Sequence, residues 1–146
     1  MKLISPPHEF FLKDPKLCIL GLHDSDLVSL LKEKKLQDRP GSSWFTSGDF
    51  AVVRMEPLNN NESVIVHVYI ATEFQQQRLL KYIVVDIVKY LKENTKYTKI
   101  FVPIPSPCSH VVRTMAPLGF SLEGVLPKSI SWRNRQVDLI YYTRTI

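Results

Sequence analysis

At 146 residues, with 45% hydrophobic and 23% charged residues, the chain is sized and composed as one globular domain and not as a disordered or fibrous segment. The net charge of +5 invites acidic partners, but the positives are dispersed, with small clusters at Lys32, Lys34, Lys35 and at Arg133, Arg135, and this argues against a nucleic-acid-binding stripe. Two cysteines, Cys18 and Cys108, make neither a disulfide framework nor a metal-ligand pattern and read as buried thiols of a reducing compartment, so no metal is expected. The opening MKLISPPHEF lacks the apolar core of a signal peptide, and no apolar run approaches the roughly 20 residues of a membrane span. A cytoplasmic protein is therefore expected.

Residues 1–23 form an irregular segment punctuated by Pro6, Pro7 and Pro15, with short extended pieces around Phe10–Leu12 and Leu17–Leu20. A first helix is predicted from Ser25 to Leu36, with Leu27, Leu30 and Leu31 on its apolar stripe and Arg39-Pro40-Gly41 as its stop. A hairpin follows, with Trp44–Thr46 and Phe50–Met55 flanking the turn Ser47-Gly48-Asp49. Ser63 to Ala71 is the strongest strand, β-branched and near-continuously apolar, as suits a central strand covered on both faces.

That strand runs into a second helix reaching about Lys92, whose apolar positions Leu80, Ile83, Val84, Ile87, Val88 and Leu91 recur at spacings of three and four. Strand-to-helix junctions often hold phosphate, because free N–H groups and the helix dipole point at the anion. Here the junction, Thr72 to Leu80, contains no glycine. Thr72-Glu73-Phe74-Gln75 also fits a capping box, which would start the helix early and spend those N–H groups on side chains. Lys99 to Ile104 is predicted as a strand broken by Pro103 and Pro105. A third helix is expected over Ser109–Leu118, with Ser109 as its cap and Gly119 as its stop. Strands Ser121–Val125 and Gln136–Tyr142 close the chain, joined around Arg133-Asn134-Arg135.

Together, the long strand, the Gln75-containing junction, the helix closing on Leu118-Gly119-Phe120 and the tail from Trp132 to Asp138 resemble the GNAT family of acyl-CoA-dependent N-acyltransferases, best over residues 44–144. The resemblance implies an α/β (α+β) single domain spanning 1–146, its mixed, mostly antiparallel sheet carrying helices on both faces and opened between its two central strands. It also implies an acyl-CoA site at Val68, Tyr69 and Ile70 for the pantetheine arm and at Gln75, Gln76, Gln77, Arg78, Leu79 and Leu80 for the pyrophosphate. Of the family's Q/R-x-x-G-x-G/A motif Gln75 matches, while Arg78 and Leu80 replace the two glycines. The tyrosine that often protonates the departing thiolate aligns with Met115, which has no proton to give.

Candidate bases are His67, more in keeping with a satisfied core histidine, and Glu73 at the strand end. Ser109 and His110 are neighbours in sequence and cannot serve one another as nucleophile and base, and Cys108 lacks a basic cluster. Trp132, Tyr141 and Tyr142 read as core of the last hairpin, or alternatively as an interaction surface with Arg133 and Arg135 at its tip. The filled glycine positions and Met115 favour a non-catalytic protein working through protein contacts. The style of the C-terminal half resembles GNAT-like proteins of tailed bacteriophages, which implies a virion head assembly role in a host cytoplasm, with virion components as partners and no cofactor. The alternatives are an acyl-CoA-dependent N-acetyltransferase with a glycine-less grip on acetyl-CoA, and a basic nucleic-acid-binding module. The edges of an open sheet also permit a homo-oligomer.

Overall fold

A computed structural model of the chain describes residues 1–5, 41–49, 51–58, 61–70, 78–132 and 134–146. The helix expected over 25–36, the junction residues 71–77 and Cys18 lie outside the described residues. Among the described residues seven strands form one sheet: β1 (Lys2–Ile4), β2 (Ser43–Ser47), β3 (Ala51–Pro57), β4 (Ser63–Ile70), β5 (Lys99–Pro105), β6 (Ser121–Trp132) and β7 (Arg135–Thr145). They lie in the order β1-β2-β3-β4-β5-β7-β6. Helix α1 (Leu80–Asn94) joins β4 to β5, and α2 (Ser109–Met115), extended by a 3-10 turn over Ala116–Leu118, joins β5 to β6.

The predicted hairpin is present. β2 and β3 pair antiparallel from Ser43↔Met55 to Ser47↔Ala51, with Gly48 in the turn at φ 60. β4 occupies the middle of the sheet, antiparallel to β3 and parallel to β5, so the strand richest in β-branched residues is the central one. That one parallel pair forces a crossover, which α1 supplies, so α1 runs back along the sheet and begins at the end where β4 finishes.

The face α1 covers is built by alternation. Val64 and Val66 of β4, Val53 and Met55 of β3, and Ile100, Val102 and Ile104 of β5 pack with Ile83, Val84, Ile87, Val88 and Leu91 of α1 in a single buried cluster. The helical residues recur at the predicted three- and four-residue spacing, and each fully buried aliphatic side chain contributes about 1.5–3 kcal/mol. Ser47, buried at the end of β2, donates to the Asp86 carboxylate at 2.9 Å and ties the hairpin to the helix.

Four expectations need correction. The last hairpin is longer than its apolar pattern suggests, with β6 running on to Trp132 through irregularities between Leu122 and Gly124 and between Leu126 and Ile130. Those bulges interrupt the period of two on which the prediction rests. β5 does not break at its prolines but continues through both to Pro105, for a reason given below. Ser109 is the first residue of α2 and not its cap; Cys108 holds the cap position, without a side-chain capping bond to the helix. The early start of α1 fails as well, because Arg78 stands at φ 54 and the helix begins at Leu80. One helix from Thr72 through α1 cannot pass a left-handed residue.

Candidate functional site

Backbone hydrogen-bond direction defines a cleft between β4 and β5. Ser106 N–H donates to the Asp138 carbonyl and Ile146 N–H to the Thr98 carbonyl, both 2.9 Å, so the even-numbered residues of β5 turn their polar groups to β7. The odd-numbered ones turn theirs to β4. On the other side, Leu58 N–H donates to the Ser63 carbonyl at 3.0 Å, which commits odd residues of β4 to β3 and even residues to β5. The two strands pair only at Ser63↔Lys99, Val64↔Ile100 and Ile65↔Phe101, whereas β4 stays paired with β3 out to Ile70 and β5 with β7 out to Pro105. Beyond Ile65 the two central strands are unpaired, and Val68 directs both its N–H and its carbonyl toward this unpaired stretch.

At the same end of the sheet stands the N-terminus of α1. Its first intrahelical bond runs from Ile83 N–H to the Leu79 carbonyl at 3.1 Å, so the N–H groups of Leu80, Lys81 and Tyr82 have no partner within the helix. Among the described residues no side chain caps this end, and no acidic residue occupies its first turn. Arg78, exposed and left-handed, leads into it. Leu79 and Leu80 pack against the hydrophobic cluster. Leu80 turns its branched side chain toward the core, and Arg78 holds a positive φ of the kind a glycine would supply. Gln75, Gln76, Gln77 and Glu73 lie outside the described residues.

On the face away from α1 the row Trp44, Arg54, His67 crosses three adjacent strands in register. His67 is buried, and its Nε2 lies 3.3 Å from Glu56 Oε2. Arg54 Nη2 is 3.5 Å from the other Glu56 oxygen and its guanidinium sits 5.6 Å above the Trp44 ring, which stacks on Tyr69 at 6.0 Å. His67 is thus a buried histidine whose Nε2 partner is a carboxylate on the neighbouring strand. Sequence reasoning passed over Trp44, Arg54 and Glu56. The signal was there, since Arg54 and Glu56 alternate with the apolar Val53 and Met55, which places both on the face opposite the core.

Met115 is buried within the cluster, so the position that the resemblance gives to a tyrosine holds an inert side chain. Cys108 is buried too. Trp132 belongs to the core and Tyr142 packs against it, as the hairpin reading expected, while Arg135 is exposed. Among the described residues no group of His, Cys, Asp and Glu could hold a metal ion, and no helix is long and apolar enough to cross a membrane.

No protein-family profile and no curated protein sequence matches this chain. Its fold matches many solved structures. A chimera of the spermidine N-acetyltransferase SpeG from Vibrio cholerae and hSSAT superposes with a TM-score of 0.76 at 17% identity, over 99% of this chain and 94% of that one. A mutant of SpeG from the same organism gives 0.77 at 15% identity, over 99% and 91%. SpeG from Vibrio cholerae in complex with CoA and spermine gives 0.66 at 18% identity, over 82% and 74%. At these identities the likeness establishes the architecture, the GNAT fold. It also overturns the expectation of a non-catalytic virion-assembly protein, because the structures that share the fold over nearly the whole chain are spermidine N-acetyltransferases.

Proposed function

We propose that this protein is an acyl-CoA-dependent N-acyltransferase that uses acetyl-CoA to acylate an amine. The observation that carries the reading is the meeting of the unpaired ends of β4 and β5 with a helix N-terminus that no described side chain caps, at the same end of the sheet. This chain's residues fit the cofactor in two places. Arg78 and the N–H groups of Leu80, Lys81 and Tyr82 would hold the diphosphate through a charged donor and the positive end of the helix dipole. The N–H and carbonyl of Val68 would align the amide-bearing pantetheine arm as an additional strand, with Tyr69 and Ile70 completing that wall. Acetyl-CoA, when bound, supplies the activated acyl group as a thioester.

The rest falls to the protein. Holding an amine in line with an acyl carbon supplies much of the rate, and the divergent strands are the rigid elements that do it. The amine must also shed a proton. His67, on β4 beyond its last rung with β5, is the candidate acceptor, and the Glu56 carboxylate beside it would stabilise the imidazolium formed. Met115 cannot protonate the leaving thiolate, so that step depends on solvent or on the stability of the thiolate itself.

Isothermal calorimetry with acetyl-CoA tests the reading. Saturable binding below millimolar Kd is expected, and the absence of heat at millimolar cofactor with an intact fold would overturn it. A release assay for free thiol over a panel of amines then identifies the acceptor class.

A further inference from the structure

The ladder between β4 and β5 stops where its chemistry runs out of donors. The ladder opens with Thr98 N–H donating to the Glu62 carbonyl at 2.8 Å, and with odd residues of β5 facing β4 its last rung, Ile65↔Phe101, draws on the N–H of Phe101. The next two donors in the series would be residues 103 and 105, aimed at the carbonyls of Val66 and Val68. Both are proline, and proline has no N–H. On its other flank β5 donates through even residues only, so neither proline costs a bond to β7, and pairing there runs uninterrupted from Lys99↔Thr145 to Pro105↔Leu139. An arrangement in which both prolines of a strand fall on the same flank, at consecutive donor positions, leaves the strand intact on one side and unable to zip on the other.

The geometry points to Pro103 and Pro105 as positioning residues that keep the acyl-CoA cleft open, a role that rests on the function proposed above. Without them the N–H of residue 103 would reach the Val66 carbonyl and that of residue 105 the Val68 carbonyl. The β4 edge would then be occupied by β5 in place of a ligand. With them, the β5 wall offers the gap only the carbonyls of Pro103 and Pro105. The N–H groups of Val68 and Ile70 face the carbonyls of Pro103 and Pro105 across it, and no residue pair beyond Ile65↔Phe101 completes a rung. Val68 is thus kept for the amides of the incoming arm.

The test replaces both prolines by valine, which is similar in volume, apolar and favourable in a strand. Hydrogen exchange followed by NMR should show the new amides of residues 103 and 105 protected in the Pro103→Val/Pro105→Val protein, with cross-strand contacts to Val66 and Val68. Calorimetry should show acetyl-CoA affinity reduced at least tenfold relative to the native chain. Pro103→Val alone, which restores the rung adjacent to the existing ladder, should weaken binding more than Pro105→Val alone, and it serves should the double variant not fold. Rapid exchange at residue 103 in a folded variant overturns the proposal, as does protection accompanied by unchanged affinity. If the native chain binds no acetyl-CoA, the acyltransferase reading falls, and the exchange measurement still decides whether the prolines hold the strands apart.

Discussion

Arg78 shows how a residue that breaks a motif at the level of letters can keep its shape. An arginine held at φ 54 bears the left-handed penalty of about 1–2 kcal/mol that glycine escapes. Arg78→Gly should therefore leave the melting temperature equal or slightly raised. It should weaken acetyl-CoA binding several-fold through loss of the guanidinium, a split that differential scanning fluorimetry and calorimetry read side by side. Glu123 offers a residue-scale test of a different kind. Its carboxylate accepts from Lys99 Nζ and from Thr143 Oγ1, each at 3.1 Å, and these bonds, the Lys99 one first, hold it below the ordinary carboxylate value of 4.5. A depressed carboxylate stabilises the folded state above its unfolded pKa and loses that contribution as pH falls through the folded one. Glu123→Gln should accordingly melt below the native protein at pH 7. The two curves should converge as pH is lowered well below 4.5.

At the scale of elements, the polar row on β2, β3 and β4 stands out against the apolar face behind it. Glu56, buried between Arg54 and His67, neutralises a guanidinium that is itself largely out of water. Removing one member of such a pair leaves an uncompensated charge, and Glu56→Ala should destabilise the fold by about 3 kcal/mol in urea titration. The milder Glu56→Gln should retain the fold and shift the pH dependence of turnover if His67 accepts the proton. The other elements were legible to differing degrees. α1 shows in the sequence through the spacing of Ile83, Val84, Ile87, Val88 and Leu91, and β4 through its run of β-branched residues. The N-terminus of α1 is misread because Thr72 and Gln75 fit a capping box, and no local pattern announces that an arginine will turn left-handed. β6 was cut short because Gly124, Pro127 and the left-handed Lys128 disturb its alternation. Only pairing with β7 carries it on to Trp132.

For the whole molecule, the proposed function makes the opening in the sheet the place where acetyl-CoA enters, and a ligand that binds only the folded chain stabilises it by mass action. At acetyl-CoA concentrations about 100-fold above Kd the gain should be about 2.7 kcal/mol, visible as a rise in melting temperature that scales with the logarithm of ligand concentration. Coenzyme A carries the same diphosphate and pantetheine arm and should give a comparable rise, whereas a free adenosine nucleotide should give less.

Apart from β1, three residues held by pairing with β2, the amino-acid order alone carries the succession of strands and helices from β2 to β7, the central place of β4, the buried stripe of α1 and the likeness to an acyltransferase scaffold. Each of these follows from short-range periodicity and from the limited ways a strand, a helix and a parallel strand can be joined. It could not say whether Arg78 and Leu80 close the site, nor what Pro103 and Pro105 accomplish. Those answers depend on which way a backbone group or a side chain points, and that direction is fixed only when a neighbouring strand sets the register. Leu80 turns to the core because α1 lies against β4, and the prolines face the gap because β7 claims the opposite flank of β5.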